Sequence, residues 1–137
     1  MAIRPIEWIP EQAGRLVPGH VRMIDQTKLP TELAYIETSS VEDVHEAIRT
    51  LRVRGAPAIG VAAAMGVVCA VQRIKGVTGA GIASAAAEAA AYLSGTRPTA
   101  VNLFKALARM KDAATAGRNM DADELKASLG SACYLQA

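Results

Sequence analysis

Two segments of the sequence set an arginine directly ahead of a proline-initiated helix: Arg54-Gly55-Ala56-Pro57 and Arg97-Pro98-Thr99-Ala100. Both suit an anion. A helix N-terminus presents unpaired amides and the positive end of the macrodipole, glycine lets an oxyanion approach the backbone, and arginine offers a bidentate fork to phosphate. Converging on one ligand, the two segments would form a phosphate clamp; facing solvent or a carboxylate, they would only decorate the surface. Asp25-Gln26-Thr27-Lys28 is a polar tetrad between two apolar runs. It could hold a substrate hydroxyl or form a turn, and its chemistry alone favours the turn. His20 and His45 stand without an obvious partner, and Cys69, inside an apolar stretch, has nothing nearby to lower its thiol pKa. Cys133 is equally unsupported. With no Walker loop, dinucleotide fingerprint, zinc spacing, nucleophile elbow or poised carboxylate pair, no residue is assigned a catalytic role, and neither a metal nor a cofactor is expected.

The elements that must hold these residues fall into two zones. Ile3 to Trp8, Val21 to Ile24 and Leu33 to Thr38 are short apolar-rich runs. Pro10, Gly14 and Pro18-Gly19 punctuate the first gap and Lys28-Leu29-Pro30 closes the second run, so residues 1–39 read as an antiparallel β-meander. Three short strands alone are marginal and need a helical layer. Residues 40–137 supply it as four to five helices. Ser40 and Asp43 have capping-box spacing ahead of Val41, Val44, Ile48 and Leu51, which predicts a helix to about Leu51. A second helix runs from Pro57 to about Ile74, where Gly60 and Gly66 imply close packing, before Gly76 and Gly79 break the chain. An alanine-rich helix follows from about Gly81 to Leu93. A fourth begins near Pro98 or Thr99, with Val101, Phe104, Leu107 and Met110 as its apolar stripe and Gly117 as its end. Asp121 or Asp123 caps a last helix carrying Leu125 and Leu129, whose C-terminal end at Ala137 reads as one that leads further. The fold class is α+β, mainly α.

Composition narrows the function classes. The 137 residues make one domain of ordinary size, and a chain that is 51% hydrophobic but 4% aromatic must build its core from alanine and aliphatics. A net charge of +2 is no footprint for nucleic acid or an anionic membrane, so any anion must be caught locally. The apolar run from Ala56 to Val71 falls short of the roughly 20 residues that span a bilayer. The N-terminus carries no secretory pattern and the two cysteines are far apart, which fits a reducing, cytoplasmic setting.

Three segments together carry a family resemblance: Asp25-Gln26-Thr27-Lys28-Leu29-Pro30, Arg52-Val53-Arg54-Gly55-Ala56-Pro57-Ala58-Ile59-Gly60, and Thr96-Arg97-Pro98-Thr99-Ala100-Val101-Asn102-Leu103. In order and spacing they resemble the N-terminal half of methylthioribose-1-phosphate isomerases. The central segment is also similar to ribose-1,5-bisphosphate isomerases and to regulatory subunits of a translation initiation factor exchange complex. The resemblance covers about residues 3–117. It implies an aldose–ketose isomerase of methionine salvage that converts 5-methylthioribose 1-phosphate to 5-methylthioribulose 1-phosphate without a cofactor. It places substrate binding on Arg54, Gly55, Ala56 and Arg97. Such enzymes are more than twice this length, and their Rossmann-like second half, with its catalytic cysteine and aspartate, has no counterpart here. Neither Cys133 nor Asp25 matches those residues. The implied partners are the sugar phosphate and either a second copy or the missing half in trans, and the chain alone is expected to be inactive. The competing readings are a non-catalytic sugar-phosphate-binding module and a regulatory-subunit fragment.

Overall fold

In the computed structural model, residues 6–50, 52–53, 56–97 and 100–135 are described. Strands β1 (Ile6–Gln12), β2 (Arg15–Ile24) and β3 (Tyr35–Thr38) pair antiparallel in the order β1-β2-β3. The expected meander is present, but its first turn is far tighter than the proline and glycine pattern suggests. Only Ala13 and Gly14 separate β1 from β2, Gly14 taking φ +82°, while Pro10 and Pro18-Gly19 lie inside strands. Pro10 is tolerated because β1 is an edge strand, and Pro18 because it lies within the register slip between Pro10 and Gln12 and beyond the end of β3. Ile3 to Pro5, assigned to the first run, lie outside the described residues.

One sheet face is buried through Ile6, Trp8, Val21 and Met23, at the alternating spacing a half-covered sheet requires. The Trp8 indole Nε1 donates to the Leu16 carbonyl at 2.6 Å. From the helical layer, the Gln72 Nε2 donates to the Gly19 carbonyl at 2.8 Å and its Oε1 accepts from the Gly19 amide at 2.9 Å.

Helix α1 (Val41–Arg49) starts as expected at Ser40, whose Oγ accepts from the Asp43 amide at 3.4 Å. The reciprocal half of the box runs through Thr38, whose Oγ1 accepts from the Ser40 amide at 3.0 Å and donates to Asp43 Oδ2 at 2.7 Å. An aspartate is one methylene shorter than the glutamate usual at that position, and the threonine bridges the gap. Leu51, the expected end of this helix, lies outside the described residues.

Helix α2 (Ala56–Val71) is the axis of the helical layer: every residue from Ile59 to Cys69 is buried. It stops before Ile74, and the turn at Gly76 takes φ +76°. Around it pack α3 (Gly79–Ser94), capped by Thr78, then α4 (Val101–Ala116) and α5 (Ala122–Leu135). Of the two candidate caps for α5, Asp121 serves, its Oδ2 accepting from the Asp123 amide at 3.2 Å. Leu125 and Leu129 are buried as expected.

Two expectations for α4 are corrected. The helix begins at Val101 with Ala100 at its N-cap, not at Pro98 or Thr99, which lie outside the described residues. Its buried stripe is Leu103, Ala106, Leu107, Met110 and Ala114, whereas Val101 is 62% and Phe104 42% exposed. The reason is the approach of α2: a Cβ on Gly60 would lie 3.1 Å from the Asn102 carbonyl oxygen and 3.5 Å from Ala106 Cβ. Only a small residue fits there, so Ala106 faces the seam and Phe104 turns outward. Among the described residues, no helix is long and apolar enough to cross a membrane.

Candidate functional site

The turn after β2 and the segment ahead of α2 meet through one ion-pair network. Asp25 is buried at the head of a short 3-10 turn, Gln26–Lys28, so the polar tetrad is indeed a turn. Its Oδ1 accepts from the Thr27 amide at 3.0 Å and from the Thr27 hydroxyl at 2.5 Å. Its Oδ2 accepts from Arg52 Nη1 at 2.7 Å, and Arg52 Nε donates to both oxygens of Glu46, at 3.0 and 3.1 Å. Burial by itself would raise the Asp25 pKa, but the Thr27 hydrogen bonds and the Arg52 guanidinium outweigh it and hold the carboxyl below its ordinary value. Backbone bonds complete the join: Gln26 donates to the Arg52 carbonyl at 2.8 Å, and the Arg52 and Val53 amides donate to the Ala47 carbonyl at 2.9 and 3.2 Å.

Of the four residues assigned to substrate binding, Arg54 and Gly55 lie outside the described residues. Ala56 is the first residue of α2. Arg97 is half-buried three residues before the α4 N-cap, its carbonyl accepting from the Ala100 amide at 3.0 Å. The contact of Gly60 with Asn102 joins the first turns of α2 and α4, so the two arginine-bearing segments lead into neighbouring helix ends. Ala100 carries no side-chain acceptor for the first amides of α4.

Arg52 and Glu46 received no role from the sequence. The bond that matters links positions 27 apart, and no periodicity marks it. The histidines have partners after all: His20 Nε2 lies 2.8 Å from Glu37 Oε1, and His45 stacks on Tyr92 with ring centroids 4.2 Å apart. Both cysteines are buried free thiols, and burial pushes each up to about 12. A cleft of about 1200 Å³ lies elsewhere, between the β1–β2 turn, the α2–α3 connection and the start of α5. Among the described residues Arg97 does not line it; of its four cations, Arg15, Arg73, Lys75 and Lys126, Arg73 is bonded to Glu11 and Lys126 to the Ile74 carbonyl.

Residues 52–134 match the model of the Initiation factor 2 subunit family. The chain belongs to that family. Within it, 124 residues, 90% of the chain, are 47% identical to the 5-deoxyribose 1-phosphate isomerase of Moorella thermoacetica, covering 33% of that protein. The methylthioribose-1-phosphate isomerase of Geobacter sulfurreducens is 43% identical over 126 residues, 92% of this chain and 34% of its own length. The crystal structure of 5-methylthioribose 1-phosphate isomerase from Pyrococcus horikoshii superposes with a TM-score of 0.86 at 36% identity, covering 98% of this chain and 35% of that one. Translation initiation factor eIF-2B, subunit delta, from A. fulgidus gives 0.83 at 35% identity, covering 98% of this chain and 36% of its own. The chain therefore spans about a third of the length of the curated relatives it matches. The family resemblance carried by the three motif segments holds, as does the α+β, mainly helical fold.

Proposed function

We propose that this chain is the phosphate-gripping part of an aldose–ketose isomerase acting on a pentose 1-phosphate such as 5-methylthioribose 1-phosphate, in methionine salvage. The observation that carries the reading is its 47% and 43% identity, along nine-tenths of its length, to proteins named as isomerases of 5-deoxyribose 1-phosphate and methylthioribose 1-phosphate. Those two sugars share a phosphate at C1 and lack a hydroxyl at C5. A site that grips the phosphate and leaves the C5 end to an apolar wall suits both.

In this reading the Arg54 guanidinium forms a fork to the phosphate, Gly55 lets an oxygen approach the backbone, the α2 N-terminus beginning at Ala56 adds amides and dipole, and Arg97 supplies a second cation. Isomerisation then requires ring opening and transfer of a proton or hydride between C1 and C2. This chain positions the substrate and offsets the phosphate charge. Its cysteines are buried and protonated, so neither provides an acid, base or nucleophile. The acid and base come from a further segment or a partner subunit, and the chain alone binds without turnover.

Calorimetric titration with 5-methylthioribose 1-phosphate, beside an isomerase assay, tests this. Binding that is lost in Arg54→Ala, with no turnover, is expected. Turnover by the chain alone would overturn the residue assignment. No binding at all would overturn the phosphate reading and favour a regulatory subunit fragment, the alternative that similarity to the eIF-2B subunit keeps open.

A further inference from the structure

We propose that Arg52 is a positioning residue for the phosphate-binding segment: its guanidinium, held between Asp25 and Glu46, fixes where the chain enters residues 54–56 and does not itself bind the anion. The inference rests on the phosphate reading of Arg54, Gly55 and Ala56 given above.

Charge decides against a direct role. Arg52 Nη1 and Nε are engaged by two carboxylates at 2.7 and 3.0 Å, so the group as a whole carries one net negative charge. A phosphate approaching Arg52 would meet two nearby carboxylates with a single cation between them. The Asp25 carboxylate cannot swing aside to release the arginine: its side chain is 3% exposed, and its other oxygen is held by the Thr27 amide and hydroxyl.

Geometry supports the positioning role. Arg52 is tied at three points, through its side chain to Asp25 and Glu46, through its amide to Ala47, and through its carbonyl to Gln26. Val53 shares the Ala47 carbonyl. In sequence, only Arg54 and Gly55 separate this anchor from the first turn of α2, which is itself fixed against α4 at Gly60. Two firmly held ends thus bound the short segment that must meet the phosphate, and a binding group displaced by an ångström loses much of its effect.

The test measures 5-methylthioribose 1-phosphate affinity by calorimetry in the unaltered chain, Arg54→Ala, Asp25→Asn, Arg52→Met and the Asp25→Asn/Arg52→Met pair, with amide hydrogen exchange at Gln26 and Val53. Asp25→Asn separates the two roles, because it removes one carboxylate charge and loosens Nη1 while Glu46 still holds Nε, leaving Arg52 more available to an anion but less firmly placed. A positioning Arg52 predicts that Asp25→Asn and Arg52→Met each weaken binding on the order of tenfold or more, that the double variant is no worse than either, and that both amides exchange faster. Affinity that is unchanged or tighter in Asp25→Asn, or unchanged in Arg52→Met, overturns the inference. Should Asp25→Asn fail to fold, Arg52→Lys carries the comparison. It keeps the charge but cannot bridge both carboxylates through separate nitrogens, so retained affinity there is equally fatal. If the unaltered chain does not bind, or Arg54→Ala binds as well as it does, the phosphate reading fails and this inference fails with it. With that reading intact, unchanged exchange at Gln26 and Val53 removes the positioning claim alone.

Discussion

Replacing Gln72 should cost the fold a measurable share of its stability. β3 pairs with β2 only over Val21–Ile24, so Gly19 lies beyond its end, and opposite Gly19 on β1 stands Pro10, which has no amide hydrogen to offer. The Gln72 carboxamide serves both backbone groups of Gly19, as a further strand residue would. Gln72→Met keeps the volume and leaves a buried donor and acceptor without partners, at about 1–3 kcal/mol each. Gln72 also borders the cleft beside the β1–β2 turn, from which water can reach part of the vacated space. The expected loss is therefore near the lower end of the combined range, about 2–3 kcal/mol in total. For a chain of 137 residues this is a fall in Tm of roughly 6–12 °C. Urea unfolding followed by circular dichroism should show a lower midpoint with an unchanged slope. Gln72→Glu retains the acceptor for the Gly19 amide but donates to its carbonyl only when protonated, so its deficit relative to the unaltered chain should shrink as pH falls. A loss below about 0.5 kcal/mol in Gln72→Met would refute the reasoning, because it would place Gly19 among groups that water satisfies equally well.

Further outcomes follow from burial and close approach. Gly79→Ala would set a Cβ 2.0 Å from the Met120 carbonyl oxygen and 2.9 Å from that of Arg118, both backbone atoms, so Tm should fall despite the better helix propensity of alanine; an unchanged or higher Tm would contradict it. With both thiols raised to about 12, the thiolate fraction at pH 8 is on the order of 10⁻⁴, and labelling by a thiol reagent should track global unfolding; rapid labelling of the folded chain would count against the buried placement. The Asp25 carboxyl is held below its unfolded value of about 3.9, so the stability it contributes is complete above that pH and is lost as pH falls through the folded pKa. The gap in urea midpoint between the unaltered chain and Asp25→Asn should accordingly close below about pH 4, and a gap that widens there would reverse the sign of the argument.

Local physics made the element order readable. Ser40 declares a helix start because its hydroxyl is the right length to meet an amide three residues on, and the unbroken apolar stretch after Pro57 admits no exposed face, so α2 had to be central. What local pattern misread was decided by neighbours. Phe104 and Val101 are apolar at helical spacing, yet the seam with α2 accepts only Ala106 opposite Gly60, and no property of α4 alone reveals which of its faces meets a glycine. Pro10 and Pro18 read as breaks because proline cannot donate to a ladder, but the edge position of β1 and a register slip remove the need for that donor.

The candidate site divides along the same line. Residue types at helix starts and the family resemblance marked Arg54, Gly55, Ala56 and Arg97, whereas the anchor that precedes the first three in sequence depends on tertiary contacts between Asp25, Glu46 and Arg52. Asp25 also resolves a choice that the sequence left open between holding a substrate hydroxyl and forming a turn. One of its oxygens is occupied by the amide and hydroxyl of Thr27 and the other by Arg52, so the carboxylate that closes the turn is already engaged on both oxygens. The turn is therefore a means of presenting a fixed negative charge to Arg52. In that light the segments that begin at Asp25 and at Arg52 are joined into one structural unit, and under the proposed phosphate reading a substitution at Asp25 should be felt as altered affinity for the sugar phosphate.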